Sequence, residues 1–174
     1  MNIIEFFELS AGKWFSQRTI HNLASGELQA GKSNLMIDIL AQNDSTVVEL
    51  CQHHEIDPAT VWGGLRLSWE GTTDESPNQQ KGSAVIVPIA NLDHPQEGQL
   101  LQRQGINNKS ILGRYKLDEN DVLTFITESP NFYAEERFWY LMPNLRLRTS
   151  VVKNAQGCTQ ASFCSEIRMG VIKN

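Results

Sequence analysis

The amino-acid sequence predicts a mainly β protein: about ten antiparallel strands closed into one barrel, with a short N-terminal helix and a second helix near residues 45–55. Three observations lead there. From Gly12 onward the side chains alternate with a period of two rather than 3.6. Clusters of Asp, Asn, Ser, Gly and Pro interrupt that alternation at short intervals. No internal repeat, low-complexity tract or linker divides the chain, so 1–174 reads as a single domain. A meander of this many strands has to protect its edges, which closure does most simply, and a barrel of that size leaves room for one small ligand.

The first helix rests on Ile3, Phe6 and Phe7, spaced i, i+3 and i+4, with Glu5 and Glu8 on the other side. Lys13 to Asn22 then alternates as a strand, Trp14, Ser16, Arg18 and Ile20 on one face, and Ser33 to Leu40 follows with Leu35, Ile37 and Ile39 on one face. The second helix carries the stripe Val47, Leu50, Cys51 and His54. Thr46 and Glu49 have capping-box spacing behind Asp44 and Ser45, and Asp57-Pro58 ends the helix. The remaining strands are expected at Thr60 to Thr72, Gly82 to Ile89, Gly98 to Gln104, Ile111 to Leu117, Val122 to Thr127, Tyr133 to Met142, Leu145 to Val152 and Thr159 to Met169. Turns fall at Asp74 to Gln80, Asp118 to Asp121, Ser129 to Asn131, Pro143-Asn144 and Asn154 to Gly157. Gly63 and Gly64 suggest a bulge or sharp bend.

Composition removes several classes of function. The 40% apolar and 20% charged content is globular, and a net charge of −5 gives no basic surface for nucleic acid. No apolar run approaches the roughly 20 residues of a transmembrane helix, and Met1 to Ser10 lacks the basic start of a signal peptide. A cytoplasmic protein is therefore expected. Cys51, Cys158 and Cys164 are odd in number and have no metal-ligand spacing, so they read as reduced thiols. His21, His53, His54 and His94 have no spacing that gathers a metal, and no phosphate loop or Gly-x-Ser-x-Gly elbow is present.

The most informative stretch is Tyr133 to Val152. Glu136, Phe138, Tyr140 and Met142 share one parity of the first strand, and Arg146, Arg148 and Ser150 share one parity of the second. Two readings are open: the arginines face water while leucines fill a core, or they line a wet cavity where guanidinium forks grip carboxylates. Arg18, on the face of Trp14, is either a cation–π partner in a core or a ligand clamp. Trp69, on the parity of Leu65 and Leu67, is either core or ligand platform. Glu136 is either a salt-bridge partner of Arg146 or an acid–base group.

Taken together, Phe6-Phe7-Glu8-Leu9-Ser10-Ala11-Gly12-Lys13-Trp14, the Ser16-Gln17-Arg18-Thr19-Ile20-His21 strand, Val48-Glu49-Leu50-Cys51, the Trp62 to Trp69 strand and the Glu136 to Ser150 region resemble the S-type phycobiliprotein lyases, the CpcS/CpeS family of cyanobacteria and related algae. The resemblance runs from end to end. It implies a lipocalin-like, fatty-acid-binding-protein-like barrel that accepts a free bilin, usually phycocyanobilin, and delivers it to a cysteine of a phycobiliprotein subunit such as phycocyanin β or an allophycocyanin chain. The bilin is then a substrate, and no cofactor or metal is expected.

Carried over by position, the resemblance places Arg18, Trp69, Glu136, Arg146 and Ser150 against the bilin, and strand parity adds Arg148; Glu136 is then the candidate catalytic group, hydrogen-bonding the pyrrole nitrogens. The arginines would hold the propionates, while Trp69, Phe138, Tyr140 and Met142 would wall the ring system. The resemblance is compatible with a lone chain, a homodimer or a pairing with a second lyase subunit. Rival readings are a non-catalytic bilin or fatty-acid carrier, and an assembly partner of the light-harvesting antenna with an unused cavity.

Overall fold

In the computed structural model, which describes residues 1–74, 78–91, 93–105 and 109–170, the chain opens on a capped helix, α1 (Ile3–Ser10). The Asn2 side chain accepts from the Glu5 backbone N–H, and the Glu5 carboxylate accepts from the Asn2 N–H, closing a reciprocal box. Ile3, Phe6 and Phe7 are buried, and the other end of the helix is held by Arg168, whose guanidinium donates to the carbonyls of Leu9 and Ala11. A cation on the last carbonyls complements the negative end of the helix.

Ten strands follow: β1 (Gly12–Asn22), β2 (Leu28–Ala41), β3 (Gly63–Thr73), β4 (Gln80–Ala90), β5 (Glu97–Gln104), β6 (Ser110–Leu117), β7 (Leu123–Ser129), β8 (Phe132–Met142), β9 (Leu145–Asn154) and β10 (Gly157–Met169). Each pairs antiparallel with its sequence neighbour, and β1 pairs with β10 to close the barrel. The interior core gathers Ile3, Phe6 and Phe7 with Trp14, Ile37, Leu65, Ile86, Leu100, Tyr115, Leu117, Leu123, Phe125 and Phe138. α1 thus closes the end where Phe7 meets Phe125 edge-on at 6.4 Å, and the Met1 ammonium pairs with Asp121 in the β6–β7 turn.

The second helix, α2 (Ser45–His53), lies on the outside. Val47, Leu50 and Cys51 cover Val85, Val87 and Leu101 in a separate cluster, and Glu49 pairs with Arg103 at 3.2 Å. Its N-cap is Asp44, which accepts from the Thr46 N–H at 2.9 Å, so the Thr46–Glu49 box expected from spacing gives way to the nearer carboxylate.

Boundaries move where tertiary pairing outweighs local pattern. β2 starts at Leu28 rather than Ser33, because Gln29 to Lys32 pair with β1 although Gly31 and the polar residues there carry no apolar stripe. Thr60 belongs to a single 3-10 turn, Pro58–Thr60, capped by Asp57. Gly63 and Gly64 make no bulge, since the register with β2 continues through them. They serve close approach instead: a Cβ on Gly63 would stand 2.4 Å from the Leu40 carbonyl oxygen, and its φ of +144° suits only glycine. Within the expected turn Asp74 to Gln80, residues 75–77 lie outside the described residues, and Gln80 opens β4. None of the described helices is long and apolar enough to cross a membrane.

Candidate functional site

The strand registers assemble the site in three rows across β1, β10, β9 and β8. Nearest α1 is Ser16, Glu166, Arg146, Tyr140; next is Arg18, Cys164, Arg148, Phe138; farthest is Ile20, Ser162, Ser150, Glu136. Because side chains alternate strictly, one inward residue in a row places the others on the same face. Trp14, Ser16, Arg146, Cys164 and Glu166 are all buried, which directs the arginine-bearing parity into the barrel. The opposite parity of β10 faces outward, with Phe163, Ile167 and Met169 exposed. This wall is polar inside and apolar outside, the inverse of an ordinary core.

Arg146 is held on every side. Its side chain is only 5% exposed; Nε donates to Glu166 Oε2 at 2.6 Å, and Nη1 donates to Ser10 Oγ at 3.0 Å. Its guanidinium carbon sits 5.1 Å from the Trp14 ring and 5.7 Å from the Phe138 ring. Ser10 Oγ also shares a 2.8 Å hydrogen bond with the Tyr140 hydroxyl, so this arginine is tied directly to the closing helix.

Arg148 is held differently. Its Nη1 stands 4.0 Å from Glu136 and its Nε stands 3.9 Å from Glu166 Oε1, and its one hydrogen bond among the described residues runs from Nη2 to Cys164 Sγ at 3.5 Å. Nε of Arg148 and Oε1 of Glu166 are both buried without a hydrogen-bond partner. Burial works against the charge, but Glu136, Cys164 and Glu166 outweigh it and raise the guanidinium's pKa, so Arg148 stays cationic. Arg18, in the same row, is exposed and makes no hydrogen bond, ion pair or ring contact with the described residues.

Glu136 is 40% exposed and approaches Arg148 rather than Arg146, whose carboxylate is Glu166. Ser150 Oγ is 2.6 Å from Ser162 Oγ, within the farthest row. Trp69 stands half-buried on the far side of β1 and β2, paired with Leu35 and Gly82. Its indole lies over Gly82 so closely that a Cβ there would be 2.2 Å from Cζ2. Phe138 is buried and Tyr140 packs on Phe6 at 5.2 Å, but Met142 does not join the wall. A register shift between Tyr140 and Met142 breaks the alternation, and Met142 is left 63% exposed.

A hollow of about 610 Å³ runs along β1–β4 past Trp69, Gly82 and Leu35, but none of Arg18, Glu136, Arg146, Arg148 or Glu166 lines it. Lys13, Asn34, Met36, Ser68, Glu70, Lys81 and Met169 reach it from the outward parity of their strands, while Trp14, Leu35, Trp69 and Gly82, one register row that shares the inward face of buried Trp14, reach it from the other. In the charged rows the buried Arg148 Nε and Glu166 Oε1 lack hydrogen-bond partners among the described residues, and Arg18 is exposed while Glu136 is half-exposed.

Sequence reasoning passed over Glu166, Cys164 and Ser10. For Glu166 a signal existed: in Gln160 to Arg168 every residue of one parity is polar or Cys, with Phe163 and Ile167 on the other. Such a strand reads naturally with its phenylalanine inward, and closure of the barrel reverses it.

A closed barrel with a charged, aromatic-walled interior row defines the class first: the antiparallel β-barrels whose interior has room for a small ligand. A family model described as "CpeS-like protein" matches residues 2–169. Among named relatives, Chromophore lyase CpcS/CpeS 1 of Trichodesmium erythraeum is 55% identical over 97% of this chain and 98% of its own length, and Chromophore lyase CpcS/CpeS of Thermosynechococcus vestitus is 46% identical over 98% and 94%. The solved S-type phycobiliprotein lyase CPES of Guillardia theta superposes with a TM-score of 0.86 at 32% identity, covering 99% of this chain and 95% of that one. The chain belongs to the CpeS-like family of chromophore lyases.

Proposed function

We propose that this lyase binds a linear tetrapyrrole, with phycocyanobilin as the substrate, and attaches it to a cysteine of a phycobiliprotein subunit, phycocyanin β or an allophycocyanin chain. One observation carries the reading: among the described residues Arg148 is a cation hydrogen-bonded to no carboxylate, in one strand row with Arg18, which has no partner there, and beside half-exposed Glu136. Arg18 and Arg148 flank Cys164 from adjacent strands, so their backbones are about 10 Å apart, two strand spacings. That spacing suits the two propionates of an open-chain tetrapyrrole, each of which a guanidinium receives through charge-assisted hydrogen bonds. Among the named relatives, the Picosynechococcus protein called phycocyanobilin lyase subunit CpcS is 38% identical over 95% of this chain, which supports that choice of bilin.

In the reaction the acceptor's cysteine thiolate adds to the exocyclic ethylidene carbon of ring A. One C–S bond forms, the double-bond electrons move into the conjugated system, and the bilin takes up one proton. Electron withdrawal by a protonated pyrrole system favours the attack, and in this reading Glu136 accepts the pyrrole N–H hydrogen bonds and stabilises that form. The nucleophile comes from the acceptor. Cys51 and Cys164 are buried and Cys158 is exposed near the β9–β10 turn, and none is needed for bond formation. Holding the bilin in one conformation before the acceptor docks lowers the entropic part of the barrier.

Phycocyanobilin titration and zinc-enhanced fluorescence of the acceptor chain test the reading. Arg18→Ala and Arg148→Ala are expected to weaken binding by about tenfold or more, the worth of a charge-assisted pair. Glu136→Gln is expected to bind nearly as wild type and to transfer slowly. A wild-type protein that binds bilin yet never exceeds the spontaneous attachment rate is a carrier, and one that fails to bind bilin removes the assignment altogether.

A further inference from the structure

Glu166 takes no part in the steps above, yet it is a fully buried carboxylate, 0% exposed, facing two arginines. We propose that Glu166 is a positioning residue that gives the two arginines different work: it pins Arg146 to the wall beneath α1 and leaves Arg148 as the cation offered to a ligand carboxylate. The inference rests on the bilin reading and adds a division of labour to it.

The geometry separates the two arginines sharply. Oε2 of Glu166 takes Arg146 Nε at 2.6 Å, and Ser10, Trp14 and Phe138 cover what remains of that guanidinium. Oε1 faces Arg148 Nε at 3.9 Å, beyond hydrogen-bond reach, and both atoms stay unpartnered. Arg148 is therefore attracted to the wall without being captured by it. On its other side Glu136 stops at 4.0 Å, equally outside bonding distance. Arg148 is 21% exposed against 5% for Arg146, so a carboxylate arriving through the cavity meets a guanidinium whose strong hydrogen bonds are still unspent.

Two probes with one ring system read this out: phycocyanobilin, which carries two free propionates, and its dimethyl ester, which carries none. Wild type is expected to bind the free acid at least about tenfold more tightly than the ester. In Arg148→Gln that ratio falls toward one. Glu166→Asp keeps the charge but draws the carboxylate back by one methylene, and its ratio is expected to fall at least about threefold while ester affinity holds. A residue that merely balanced charge would leave the ratio of Glu166→Asp at the wild-type value, and that result overturns the proposal.

If Glu166→Asp does not fold, Arg146→Met provides the same test. There Glu166 is released to capture Arg148, so the ratio again falls, and an unchanged ratio overturns the proposal. Equal wild-type binding of acid and ester overturns the proposal while leaving a bilin site standing. Binding of neither probe removes the bilin reading itself.

Discussion

Arg146 and Glu166 make a buried ion pair at 2.6 Å, with side chains 5% and 0% exposed, and cutting it from each side is expected to cost different amounts. Removing one partner of a buried pair costs about 3–5 kcal/mol, because the remaining charge is left without solvent or counterion. Arg146→Met belongs at the lower end. The methionine keeps an apolar stem between Trp14 and Phe138, and Glu166 retains a second cation, Arg148, which needs to move by only about 1 Å to bond its free oxygen. Glu166→Gln belongs at the upper end, since two buried guanidinium groups then lose one shared carboxylate.

For a domain of this size each kcal/mol lowers Tm by about 2–4 °C, giving drops of roughly 6–12 °C and 10–20 °C respectively. The double variant is expected to lose at least about 2 kcal/mol less than the sum of the singles, the signature of direct coupling. Urea unfolding followed by tryptophan fluorescence measures all four proteins. Singles that cost less than about 1 kcal/mol, or a double variant that is simply additive, would refute the description of this pair as the charged anchor of the site.

Gly82→Ala is expected to displace Trp69, because the new Cβ would lie 2.2 Å from Cζ2 and an ordinary carbon contact is about 3.5–4.0 Å. The half-buried ring has room to swing, so the cost is expected near 1 kcal/mol, the low end for overpacking. The checks are tryptophan emission and Tm, and an unchanged emission spectrum would contradict the stacked geometry. The three thiols are expected to differ in Ellman's titration of the native protein. Exposed Cys158 reacts at once, whereas Cys51, whose thiol burial pushes up in pKa, and enclosed Cys164 react only after unfolding. More than one fast thiol per native chain would count against the burial described.

Much of the architecture was legible because strand alternation and turn chemistry are local. Trp14, Ser16, Arg18 and Ile20 share a face by pleat geometry alone, and the same rule groups Arg146, Arg148 and Ser150. The stripes of α1 and α2 were visible for the same reason. What alternation leaves undecided is which face is inside. An alternating strand carries no sign, so the arginines could have faced water with Leu145 and Leu147 inward until the barrel closed with Trp14, Cys164 and Glu166 buried.

The sequence by itself therefore determined which residues travel together on each strand, and, through the long opening motif and the Glu136 to Ser150 region, the family to which they belong. Tertiary structure alone decided the partnerships. Arg146 and Arg148 are equivalent in sequence, two residues apart on one face, yet one is locked to Glu166 and Ser10 while the other stops 3.9–4.0 Å short of two carboxylates. The physical reason is that these contacts cross between strands and to the closing helix, with partners 20 and 136 residues away for Arg146. Register and closure bring such groups together, and no local pattern in the chain encodes either one.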